Sequence, residues 1–219
     1  MTAITSLAVL PEEMSLARAL AAIAPHGVRT GCRLIRDGDE THLLPEEARS
    51  LPARQPAMRR ASGAARWIAH RLLADIGIHD PIPRAPSGAP VWPDGMTGSL
   101  AHDDDMAVAA LAEVGDIISL GIDVEPALPL PDDIFALVAT SADRMDRSDL
   151  HLAGRLLFVA KEAVYKAVYP LDRQVLGYED IAVDLDARRA TTRIGRKLSL
   201  VYCTAPRIVV LAFVGGVEV

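Results

Sequence analysis

The chain has 219 residues, of which half are hydrophobic, 24% are charged and only 4% are aromatic. Such a composition builds a core from Ala, Leu, Val and Ile and excludes a disordered or disulfide-stapled chain. A net charge of −6 argues against a general nucleic-acid or anionic-membrane binder.

Cys32 and Cys203 belong to no metal or redox spacing, so both are expected as free thiols. The N-terminal stretch MTAITSLAVLPEEM lacks a basic region before its apolar part, so no secretory leader is expected there. No apolar run reaches the roughly eighteen residues that a membrane-spanning helix needs. A cytoplasmic location is the resulting expectation.

In chain order, residues 45–51 suit a helix start, and residues 56–76 carry Trp67, Ile68, Leu72 and Leu73 at helical spacing. Gly77 stands where that helix would be capped. Residues 80–98 are dense in proline and glycine and read as a long irregular loop. AVAALAE (107–113) reads as a strand, Gly115-Asp116 as a turn, and DIISLGIDVE (116–125) as a second strand ended by Pro126, Pro129 and Pro131. A polar stretch at 140–149 precedes a helix over 150–168, with Pro170 expected to stop it. Three further strands are expected at 181–186, 197–203 and 207–214. This order predicts an α+β fold, with a boundary near 115–120.

Alternation along the second strand puts Ile118, Leu120, Ile122 and Val124 on one face and Ser119, Gly121, Asp123 and Glu125 on the other. Two carboxylates at i and i+2 repel each other unless a positive charge lies between them. A hard divalent cation would supply it, since Mg²⁺ takes one or two protein carboxylates with waters and phosphates. A solvated strand end would serve equally well for the pair alone. On the 150–168 helix, Glu162 and Lys166 are four apart and share a face with Phe158. Lys161 lies about a hundred degrees round from Glu162, so that pair does not neutralise it.

Taken together, GIDVE (121–125) and the F-x-x-K-E-A-x-x-K run at 158–166 resemble the paired signatures of the 4′-phosphopantetheinyl transferases. RAPSGAPVWPDGMTGSLAH (84–102) and YPLDRQVLGYEDI (169–181) are similar to segments of the enterobactin-synthetase and surfactin-synthetase-activating type. That resemblance implies two similar α+β halves related by a pseudo-twofold, residues 1–116 and 117–219, with coenzyme A in the cleft between them. It implies transfer of 4′-phosphopantetheine from coenzyme A to a serine of an acyl or peptidyl carrier protein, releasing adenosine 3′,5′-bisphosphate. A monomer, with Mg²⁺ or alternatively Mn²⁺ as cofactor, is implied as well.

The resemblance also distributes roles. Asp123, Glu125 and Glu162 match the acids that hold the metal, and Glu162 and Lys166 are the expected catalytic pair. Lys161 and Lys166 match lysines expected on phosphate, and His102 a histidine near the coenzyme's phosphates. Arg60, Arg66 and Arg84 match basic positions expected near the adenosine 3′-phosphate. The chain departs from the pattern at Ala101, where Ser or Thr is usual, and in the acid run Asp103, Asp104 and Asp105. Residues 61–65 (ASGAA) replace a Glu-Phe…Gly pattern, and Phe158 replaces a frequent Trp. Acids beside a pyrophosphate are tolerable only if they face solvent or metal. These departures suit an alternative, a weak homologue that binds coenzyme A or carrier without efficient transfer. The two acidic motifs alone would also suit a generic Mg²⁺-dependent phosphohydrolase.

Overall fold

The computed structural model describes residues 11–52, 55–145 and 150–215. The expected apolar stretch at 1–10 and the end of the polar stretch, 146–149, lie outside the described residues. Helix α1 (Pro11–Ile23) leads into strand β1 (Arg29–Leu34), a short 3₁₀ turn (Asp39–His42), α2 (Pro45–Ser50) and α3 (Pro56–Ala74). Strands β2 (Met96–His102), β3 (Met106–Glu113) and β4 (Ser119–Pro126) follow. Then come α4 (Asp132–Val138), α5 (Leu150–Asp172), a 3₁₀ turn (Tyr178–Asp180) and strands β5 (Ile181–Asp184), β6 (Arg189–Thr192), β7 (Lys197–Cys203) and β8 (Arg207–Val214). Among the described residues, no helix is long and apolar enough to cross a membrane.

Two antiparallel sheets result, ordered β1-β3-β2 and β4-β8-β7-β6-β5. Their packing follows from side-chain alternation. In β3, Ala107, Ala109 and Leu111 pack against α3. Met106, Val108, Ala110 and Ala112 pack the other way, against Leu120, Ile122 and Val124 of β4 and Val209 and Leu211 of β8. In β8, Ile208, Val210 and Ala212 in turn face α5. The molecule is thus layered α3, first sheet, second sheet, α5, with an apolar seam between the sheets. A strand buried on both faces has no reason to alternate apolar with polar, which is why AVAALAE reads as continuous.

Several elements depart from the sequence expectations. The helix through residues 150–168 does not end at Pro170 but runs on to Asp172. Proline removes only one N–H, and the last turn is closed by the Arg173 N–H donating to the Tyr169 carbonyl at 2.9 Å. Ile118 lies outside β4 and is 52% exposed, because the strand begins at Ser119. Met96–His102, partly within the expected loop, forms β2 by pairing along β3. Strands β1 and β6 carry no clear sequence signal and form by docking, whereas α1, absent from the expectations above, is signalled by Pro11, Glu12 and Glu13 at its start and by Leu16 and Leu20 four apart. Glu13 pins α1, accepting the Leu34 N–H at 3.1 Å and Arg36 Nη2 at 2.9 Å.

Glu47 is the polar hub of the first half. Its buried carboxylate accepts the N–H groups of Leu44 (2.9 Å) and Ile82 (2.7 Å) and pairs with His70 Nε2 at 2.8 Å. Burial pushes this carboxyl up, but the His70 pairing and the two N–H donors outweigh it and hold the group below the usual glutamate range. A folded-state pKa below the unfolded one stabilises the fold above the unfolded value, about 4.3 for glutamate, and that contribution is lost as pH falls through the folded pKa. Glu47→Gln should therefore lower stability at pH 7, with the gap to wild type closing below about pH 4. Denaturant titrations of both proteins at pH 7, 5 and 3.5 measure it; a gap that widens on acidification contradicts this assignment.

Candidate active site

The polar face of β4 does not meet solvent as a simple strand end would. It lies under α5, and the contact is backbone to backbone at Gly121, where an added Cβ would sit 2.0 Å from the Ala163 carbonyl oxygen. Ser119 Oγ donates to the Ala167 carbonyl at 2.6 Å on the same face. This close approach brings Asp123 of β4 to Lys166 of α5, and Glu125 to Arg155.

Lys166 Nζ donates to Asp123 Oδ1 at 2.7 Å and to the Ile122 carbonyl at 3.3 Å. Glu125 Oε2 accepts Arg155 Nη1 at 2.7 Å. Tyr178 donates its hydroxyl to Glu162 Oε1 at 2.9 Å. Burial drives the Asp123 carboxyl up while Lys166 and His102 draw it down, and the net direction is up. Glu125 is raised by burial and by the negative charges of Asp123 and Asp103, against the pull of Arg155. The Tyr178 phenol is pushed well above its ordinary value by burial and by Glu162. His102 thus acts on Asp123, and Asp103 and Asp123 act on Glu125, where the end of β2 meets β4; Glu162 and Asp123 both act on Tyr178.

Asp123, Glu125 and Glu162 present only oxygen donors, the set a hard divalent ion takes, so in chemistry they fit Mg²⁺. Among the described residues, no three His, Cys, Asp or Glu side chains are drawn together as a metal cluster. Each acid has a partner of its own, so an ion would compete with Lys166 and Arg155 for Asp123 and Glu125.

The other expected site residues divide. His102 is exposed at the end of β2, its Nδ1 3.2 Å from the Asp103 carbonyl. Arg84 is exposed in the proline-rich loop, with Nε donating to the Gly88 carbonyl at 3.2 Å. Arg60 is spent on Asp37. Arg66 is buried and donates Nε to the Ile82 carbonyl at 2.9 Å, tying α3 to the loop.

Lys161 departs furthest from its expected place on phosphate. It is wholly buried, with Nζ donating to the carbonyls of Val138 and Tyr178, both at 2.9 Å, and paired with Asp143 at 2.8 Å. Its position a quarter-turn from Glu162 turns it into the core beneath α5 rather than toward the acids of β4.

The acid run after His102 also resolves. Asp103 caps the turn by accepting the N–H groups of Asp105 (2.8 Å) and Met106 (2.7 Å), and its other oxygen pairs with Arg207. Arg207 also binds Glu12 at 2.8 Å, so one cation on β8 ties α1 and the β2–β3 turn to the second sheet. Asp104 and Asp105 face solvent.

Arg155, Tyr178 and Arg207 were not marked by the sequence reading. Arg155 could have been, since it precedes Glu162 by seven residues and so shares its helix face. A surface hollow of about 620 Å³ is lined by Glu46, Asp80, Val91, Trp92 and Asp94 with neighbouring prolines, and none of the expected site residues lines it.

Comparison with known proteins bears on the whole arrangement. Residues 46–112 match the 4′-phosphopantetheinyl transferase N-terminal domain, and residues 119–210 match the 4′-phosphopantetheinyl transferase superfamily. The chain is 40% identical over 163 residues to the 4′-phosphopantetheinyl transferase Svp of Streptomyces mobaraensis, covering 69% of this chain and 65% of that protein. It is 36% identical over 171 residues to Npt of Nocardia iowensis, covering 75% of each. It is 38% identical over 149 residues to PptT of Mycobacterium tuberculosis, covering 65% of each. The chain therefore spans about two thirds to three quarters of the length of these curated relatives. Two matched segments, one in each half of the chain, and relatives at this identity lead to one conclusion: the chain belongs to the 4′-phosphopantetheinyl transferase superfamily.

Proposed function

We propose that the protein transfers 4′-phosphopantetheine from coenzyme A to a serine of an acyl or peptidyl carrier protein. What supports this reading is membership of this superfamily together with the approach of α5 to β4, where Lys166 pairs with Asp123 and Arg155 with Glu125. In the reaction, the serine oxygen bonds to the β-phosphorus, the bond to the bridging oxygen breaks, and adenosine 3′,5′-bisphosphate leaves. Glu162 accepts the serine proton, a role worth about 10²–10⁴ in rate for a positioned base. Lys166 turns its charge to the phosphates, and His102 and Arg84, both exposed, bind the anionic end of the coenzyme. Asp123, Glu125 and Glu162 would hold Mg²⁺, which supplies charge stabilisation to the pyrophosphate when bound.

The test is to incubate the protein with coenzyme A, Mg²⁺ and an apo carrier protein and to weigh the carrier by mass spectrometry. Gain of one phosphopantetheine supports transfer. An unchanged carrier with bound coenzyme A would instead mark a binder without efficient transfer, and phosphate release without labelling a phosphohydrolase. Glu162→Gln should reduce labelling by at least about a hundredfold while coenzyme A still binds; near-normal turnover would remove Glu162 from the role of base.

A further inference from the structure

Helix α5 grips one residue of the chain that follows it at three points. Phe158, Lys161 and Glu162 stand at i, i+3 and i+4, so they line neighbouring positions of one helix surface. Each meets a different part of Tyr178. The Phe158 ring packs on the phenol ring, with centroids 6.1 Å apart and planes tilted by 55°. Lys161 Nζ donates to the Tyr178 carbonyl at 2.9 Å. The Tyr178 hydroxyl donates to Glu162 Oε1 at 2.9 Å. Lys161 is itself immobilised by the Val138 carbonyl and by Asp143, which also accepts the Thr140 N–H and hydroxyl and the Val183 N–H.

We propose that Tyr178 is a positioning residue for Glu162, with Lys161 and Phe158 as the anchors that make it rigid. A glutamate has three rotatable side-chain bonds, and a half-buried one samples several rotamers unless something fixes it. The phenol engages Oε1, which orients the carboxylate and directs Oε2 to the proton or ion that Glu162 serves. The arrangement also gives the buried Lys161 a link to the site without any contact to phosphate: it holds the backbone from which the phenol reaches. A site held by such a second layer of contacts keeps its geometry through turnover.

This inference rests on the role proposed for Glu162. Tyr178→Phe deletes one hydroxyl and keeps the ring on Phe158, so a purely packing role for Tyr178 leaves every measurement unchanged. With a positioning role, kcat for carrier labelling should fall about tenfold, the effect of one lost hydrogen bond to a charged group. The KM for coenzyme A should stay within about twofold, and the thermal midpoint should fall by no more than about 6 °C. Mn²⁺ binding, read by electron paramagnetic resonance without carrier present, should weaken several-fold. In a Glu162→Gln background, adding Tyr178→Phe should change Mn²⁺ affinity no further, because the oxygen it orients no longer carries the charge. Wild-type kcat and Mn²⁺ affinity in Tyr178→Phe, or additive losses in the double variant, would overturn the proposal. A wild type that binds Mn²⁺ but labels no carrier would overturn the transfer reading alone, and the cycle in Mn²⁺ affinity would still decide the positioning.

Discussion

Gly121→Ala is expected to damage stability and carrier labelling together. The new methyl would lie 2.0 Å from the Ala163 carbonyl oxygen, 2.6 Å from the Ala167 nitrogen and 3.0 Å from Lys166 Cβ. The first two are backbone atoms of α5, so no side-chain rotation relieves the clash, and the helix must move away from β4. Overpacking of this kind costs about 1–3 kcal/mol and sometimes more. The same movement carries Lys166 off Asp123 and displaces Glu162 with it, and a displacement of about 1 Å can reduce turnover about a hundredfold. Gly115→Ala is the matched control, since an added Cβ there meets nothing within 4 Å. Urea denaturation and the carrier-labelling assay on both variants check it. A Gly121→Ala protein with wild-type stability and turnover would mean that the tight β4–α5 contact does not set the site.

The second large effect is expected at Lys161. Methionine there keeps the length of the side chain but removes the ammonium, leaving Asp143 buried without its cation. Breaking a buried pair from one side typically costs about 3–5 kcal/mol, because the remaining charge is uncompensated. Asp143 retains the N–H groups of Thr140 (2.8 Å) and Val183 (2.9 Å), which places the expected loss toward the lower end of that range. The Val138 and Tyr178 carbonyls lose their donor in the same substitution. Adding Asp143→Asn should recover part of the stability, since the amide oxygen can still accept a backbone N–H and no charge is left buried. The alternative is a lysine that binds phosphate. In that case Lys161→Met would keep its stability and lose coenzyme A affinity, so denaturation and isothermal titration on one variant separate the two roles.

Much of the second half was legible because its signals are local. KLSLVYC and RIVVLAFV have strand composition and clear boundaries, and both appear as strands over those residues. The alternation in IISLGIDVE separated the apolar residues from Gly121, Asp123 and Glu125, and Leu120, Ile122 and Val124 do pack into the seam between the sheets. Strand β2 was less legible, because Gly98 is disfavoured in strands and the segment runs straight on from a proline-rich loop. Its ladder comes from β3, and Gly98 is needed because the Trp92 ring lies 2.5 Å from where a Cβ would be.

By itself, the sequence determined the α+β class, the strand and helix that carry the acids and lysines, and the family to which their order belongs. These are properties of spacing along one element, where periodicity alone decides which side chains share a face. Only the tertiary structure decided which charges meet. Lys161 and Lys166 stand on one short motif, yet the first is sealed over Asp143 and the second reaches Asp123, since α5 is buried on one side and opens to β4 on another. Arg155, Arg207 and Tyr178 come from separate elements to Glu125, Asp103 and Glu162. No spacing rule encodes such pairings, because a partner is chosen by how the layers stack and by the high cost of leaving a buried charge alone.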